Sequence, residues 1–153
     1  MPRLFRFHHV KSHKIIESAS ETFPLPRSGH RIVADEMNLY LIGGYVQYPN
    51  EKLAVEGEIW KFNFFTHNWT KLEIPTSTFR LGASHAVVKV DDDIIIHGGT
   101  GTMFGKEVDN SLIVLNIKTL SCYVMEGKAK DDNPNNFPIA TYGHPPETGS
   151  IAR

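Results

Sequence analysis

"HRIVADEMNLYLIGG" at residues 30–44 returns as "HAVVKVDDDIIIHGG" at residues 85–99. At a shift of 55 positions the histidines, the apolar patches, the acidic turns and the glycine pairs all coincide. An internal period of this length is the signature of a repeat architecture and outranks any local reading of the chain. Downstream the register slips by two, and "EIWKFNFFTHNWTKL" falls on "SLIVLNIKTLSCYVM", with Asn63 on Asn116 and Thr66 on Thr119.

Each unit reads as strand, turn, strand, glycine pair, longer loop, strand, short turn, strand. In the first unit, β-branched and aromatic runs at Ile32–Val33, Leu39–Ile42, Ile59–Phe64 and Trp69–Ile74 supply the strands. No window sustains a helical period, so the fold class is all-β. The expected organisation is an N-terminal segment at 1–25, a first unit at 26–76, a second at 77–126, and a loop, the start of a third unit and a disordered tail at 127–153. Gly143 and His144 echo Gly29 and His30 and mark that third start.

Composition narrows the function classes. A chain of 153 residues with 41% apolar and 22% charged residues and a formal charge of -1 is an ordinary globular domain. Its near-neutral balance leaves no basic footprint for nucleic acid or anionic lipid, and no apolar run is long enough for a signal peptide or a membrane span. A single cysteine, Cys122, cannot form an internal disulfide, which points to a reducing compartment, cytoplasmic or nuclear.

Chemistry-bearing motifs fail on spacing. A phosphate loop over "GGTGTMFGKE" needs glycine where Thr100 stands and serine or threonine where Glu107 stands. A dinucleotide fingerprint through Gly99 and Gly101 needs glycine at Phe104 and a helix behind it. His8, His9 and His13 match no zinc spacing and read as solvent-facing residues of an edge strand. His30, His85 and His144 recur once per unit, which is structural repetition; their ring nitrogens are expected to satisfy backbone carbonyls. Cys122-Tyr123 gives little ground for a copper site, and Asp91–Asp93 reads as a hairpin tip and not a calcium loop. With no nucleophile, base and orienter in view, no catalytic, cofactor or metal residue is assigned.

The run Pro26-Arg27-Ser28-Gly29-His30, the pair Gly43-Gly44, then Trp60 and Trp69, resembles the kelch repeat, one four-stranded blade of a β-propeller. In the second unit His85, Gly98 and Gly99 keep the pattern, while Gly82 takes the arginine position and Cys122 the tryptophan position. The resemblance implies that the glycine pairs relieve crowding near the propeller axis, where strand ends converge. It also implies that Trp60, Phe62, Phe64 and Trp69 fill the wider space between adjacent sheets.

Recognition on such a scaffold belongs to loops. Tyr45, Tyr48, Met103 and Phe104 follow the glycine pairs; they either grip a protein or peptide ligand or cover the bases of their own loops. Within the family, the resemblance extends to substrate receptors of cullin 2 ubiquitin ligases, which read C-terminal degrons and reach the ligase through elongins B and C. A general kelch scaffold for cytoskeletal or signalling assemblies is the alternative. A closed ring needs at least about four blades of about 50 residues. Two blades and a stub are therefore expected to be an incomplete propeller, with "RLFRFHHV" (3–10) as a strand that would complete a final blade.

Overall fold

A computed structural model describes residues 23–50, 52–74, 81–125 and 139–143. The N-terminal strand candidate with His8, His9 and His13, the loop at 127–138 and His144 lie outside the described residues. Among the described residues every regular element is a strand. In order these are β1 (Arg27–Ser28), β2 (Arg31–Ala34), β3 (Asn38–Ile42), β4 (Tyr45–Gln47), β5 (Leu53–Val55), β6 (Ile59–Asn63), β7 (Trp69–Lys71), β8 (Ala86–Val90), β9 (Asp93–His97), β10 (Leu112–Asn116) and β11 (Cys122–Met125).

Two four-stranded antiparallel meanders carry the fold, ordered β2-β3-β6-β7 and β8-β9-β10-β11. Their registers repeat as the sequence period requires: Leu41 lies between Ile32 and Trp60, and Ile96 lies between Val87 and Ile113. The repeated asparagines explain the conserved turn geometry of the two units. Asn63 Oδ1 accepts from the Phe65 and Thr66 amides, and Asn116 Oδ1 accepts from those of Lys118 and Thr119. That side-chain bond closes each turn locally and leaves the residue after it, His67 or Leu120, in the left-handed region.

The sheets meet through one core. Tyr40, Ile42 and Ile59 of the first sheet pack with Val87, Ile94, Ile96, Ile113 and Leu115 of the second, all of them 5% exposed or less. This corrects the expectation drawn from the aromatic residues. Trp60, Phe62 and Trp69 alternate with Ile59 and Lys61 along the first sheet and so lie on its other face, turned away from the second sheet. Trp60 is buried there and its Nε1 donates to Glu58 Oε2 at 2.9 Å, whereas Phe64 is 39% exposed. The joint is largely aliphatic because alternation puts Val87 and Lys89 of β8, Ile94 and Ile96 of β9, and Ile113 and Leu115 of β10 on it.

Close approach at the glycine pairs is borne out. A Cβ on Gly43 would stand 2.4 Å from the Gly82 carbonyl oxygen, and one on Gly98 would stand 2.5 Å from that of Thr141. Both glycines hold positive φ, +60° and +68°. Each pair thus presses on the entrance of the following unit, and the first strands β2 and β8 lie against each other at that side. A backbone ladder joins the three entrances. Ser84 N donates to Gly29 O at 2.7 Å, and Gly143 N donates to Ser84 O at 2.7 Å.

The sequence marks the segment after the first glycine pair only as a longer loop. There β4 and β5 form a hairpin on which β1 pairs as a third strand. The second unit keeps only a vestige, the bridges from Ala83 to Thr100 and from Thr100 to Val108. Its loop "TGTMFGKEVDN" spends its residues on tight turns, which leaves too few for a ladder.

Candidate functional site

Arg27, its side chain 2% exposed, donates from Nη2 to Glu58 Oε2 at 3.0 Å and from Nε to the Leu25 carbonyl at 3.0 Å. Lys71 pairs with the other oxygen of the same carboxylate. Burial alone would raise the Glu58 pKa, but bonds from Lys71, Trp60 and Arg27 outweigh it and hold the carboxyl below its ordinary value. Sequence reading missed Glu58 and Lys71, although their spacing about Trp60 was visible.

The histidines pack on the glycines. His30 Cβ lies 3.0 Å from a Cβ built on Gly44, and His85 Cβ lies 3.1 Å from one built on Gly99. His85 is fully buried, and its Cε1 also reaches Gly43 of the first unit, 3.0 Å from a Cβ built there. The expected carbonyl partner is absent at His30, whose Nδ1 is buried without a hydrogen bond. At His30 the contact is therefore a matter of shape, its Cβ laid where Gly44 leaves room.

No phosphate cradle exists at the glycine pairs. All four amides are spent on carbonyls: Gly43 on Glu58, Gly44 on Gly82, Gly98 on Ser111 and Gly99 on Thr141. The neighbours that approach them are carbonyl oxygens, which repel an anion. Cys122 faces the core and Tyr123 the opposite side of the same strand, so the pair cannot converge on one metal ion. Among the described residues, no three His, Cys, Asp or Glu side chains gather as a metal site.

The loop residues divide. Tyr48 is tied down by its own hairpin, its hydroxyl donating to Glu56 Oε1 at 2.6 Å. Tyr45 crosses to the second unit, where its hydroxyl donates to Gly101 O at 2.8 Å and its ring lies 6.4 Å from that of Phe104. Phe104 in turn meets Tyr142 of the third unit edge-on at 4.9 Å. Three successive units thus contribute one ring each to a single row. The turn that presents Phe104 is rigid: the buried Thr100 accepts from Gly105 N at 2.9 Å, and Lys106 N donates to Met103 O at 3.0 Å. Met103 stays 55% exposed and Phe104 63% exposed. Tyr142 escaped the sequence reading because its motif, "TYGH", was recognised only as the start of a unit.

Four-stranded meanders that meet at their first strands, each with its glycine pair against the next entrance, define the class: this chain belongs to the kelch-repeat β-propeller family. Its sequence is 36% identical over 102 residues to Kelch domain-containing protein 10 of Homo sapiens, 62% of this chain and 23% of that protein. It is 34% identical over 131 residues to the Kelch domain-containing protein 10 homolog of Drosophila melanogaster, 79% of this chain and 21% of that protein. The solved structure of YjhT, a kelch-type propeller, aligns with a TM-score of 0.57 at 16% identity, over 69% of this chain and 39% of YjhT. The chain spans about a quarter of the length of the curated relatives it matches. No family model matches it.

Proposed function

We propose that the chain is a non-catalytic protein-interaction module that grips a peptide or protein segment on its loop face, with Phe104 and Met103 as anchors and Tyr45 and Tyr142 as flanks. One observation carries the reading. The ring row is fastened from below by the Tyr45 bond to Gly101, yet its apolar surface is left to solvent at Phe104. Rigid aromatic side chains that lose little freedom on contact are what binding hot spots are made of.

Panning a random peptide library on the chain tests this. Wild type selects a consensus, and Phe104→Ala together with Met103→Ala weakens the selected peptide at least about tenfold, a loss of at least about 1.4 kcal/mol. Unchanged binding by the double variant refutes the loop face. A finer reading is a substrate receptor of a cullin 2 ubiquitin ligase, bridged by elongins B and C and reading C-terminal degrons. Its support is the sequence similarity to Kelch domain-containing protein 10 over 102 residues. A selected peptide that loses affinity when its C-terminus is amidated favours that reading, while indifference favours a general scaffold. Failure of a longer product carrying these blades to co-purify with elongins counts against it.

A further inference from the structure

The second sheet has one face in the core and one that faces out. On the outward face Val88, Tyr123 and Met125 are 50%, 54% and 48% exposed, with Ile95 and Leu112 between them in register. At the other end of the molecule the outer face of the first sheet shows Ile32, 55% exposed, with Leu39, Phe62 and Trp69 beside it. The repeat relates these two faces to a joint that already exists inside the chain. Val88, Ile95 and Leu112 stand at the positions of Val33, Tyr40 and Ile59, which in the first sheet are packed against the second. Ile32, Leu39 and Phe62 stand at the positions of Val87, Ile94 and Leu115, which complete that joint from the other side.

We infer that the outward face of the second sheet takes the outer face of the first sheet of a second copy of this chain, repeating the internal joint between molecules. The contact is head-to-tail, so it closes into a ring or runs on as an open filament. Its entrance is already occupied, but by the same chemistry. Gly143 N now donates to Ser84 O, and an incoming Gly29, the equivalent residue, makes the same bond once residues 139–143 move aside. One element is not reproduced. Lys89 forms an ion pair with Asp35 across the internal joint at 3.6 Å, and Ala34 stands at the lysine position in the incoming copy. The intermolecular joint is therefore the weaker of the two and depends on concentration.

Sedimentation velocity on the full chain tests the inference with one charge on each face, Val88→Glu and Ile32→Glu, both at half-exposed positions that tolerate a polar side chain. Wild type associates with rising concentration, each variant alone sediments as a monomer, and an equal mixture of the two forms a one-to-one dimer and nothing larger. Val88→Ser and Ile32→Ser, with circular dichroism on every variant, provide a second pair should a glutamate unfold the chain. A monomeric wild type, association that survives either substitution, or a mixture that stays monomeric overturns the inference.

Discussion

Gly43 is where side-chain chemistry meets the geometry of the whole repeat. Its φ of +60° is costly for any residue with a Cβ, and that Cβ would lie 2.4 Å from the Gly82 carbonyl, inside van der Waals contact with a backbone atom at the entrance of the next unit. The left-handed cost of about 1–2 kcal/mol and an overpacking cost of about 1–3 kcal/mol combine, so Gly43→Ala loses roughly 2–5 kcal/mol in urea denaturation. Loss of less than about 1 kcal/mol would mean that the two units do not approach as described. Ser84 gives the opposite case. It sits at φ +57° between Gly29 at +64° and Gly143 at +74° in the entrance ladder, the one unit of three to put a side chain there. Ser84→Gly relieves the backbone and gives back part of the gain as unfolded-state freedom, leaving roughly 0.5 kcal/mol of net stabilisation in the same assay.

Within the first sheet, the entry to β6 is held by charge as well as by pairing. Glu58 accepts from Arg27, Lys71 and Trp60, and its pKa in the folded chain lies below the ordinary 4.5. A carboxyl lowered by folding stabilises the folded state fully above its unfolded pKa and loses that contribution as pH falls through the lowered value. Acid titration of the thermal midpoint therefore shows a fall below about pH 4.5 that Glu58→Gln removes in part, at the cost of lower stability at pH 7. Identical acid limbs in the two proteins would disprove the role. This element also marks what the sequence made readable. The strands, the glycine pairs and the paired Asn63 and Asn116 turns were legible because local chemistry sets them: alternation, close approach and a side-chain cap. The β1-β4-β5 sheet was not, because β1 is two residues long and pairs at a distance. The face chosen by Trp60 was not either, since alternation separates two faces without saying which one meets the next blade. At the candidate site Tyr45 and Phe104 were visible as loop residues, but their meeting with Tyr142 depends on three units being laid side by side.

At the scale of the whole molecule, the two four-stranded sheets share one hydrophobic cluster among the described residues. Buried residues of the shared cluster come from both, and the ion pair of Lys89 with Asp35 ties the second sheet to the first turn. A sheet removed from its neighbour exposes Tyr40, Ile42 and Ile59 on one side or Val87, Ile94 and Ile96 on the other, so unfolding proceeds as one transition. The tryptophans make this measurable, because both of them, Trp60 and Trp69, lie in the first sheet. Ile96→Ala, a cavity in the second sheet at a side chain 1% exposed, costs about 2–5 kcal/mol. With a shared core, the loss read by tryptophan fluorescence equals that read by far-ultraviolet circular dichroism, although the substitution is in the other blade. A fluorescence midpoint that stays at the wild-type value while the dichroism midpoint falls would show two blades melting separately, and the joint between them would then not be what holds the chain together.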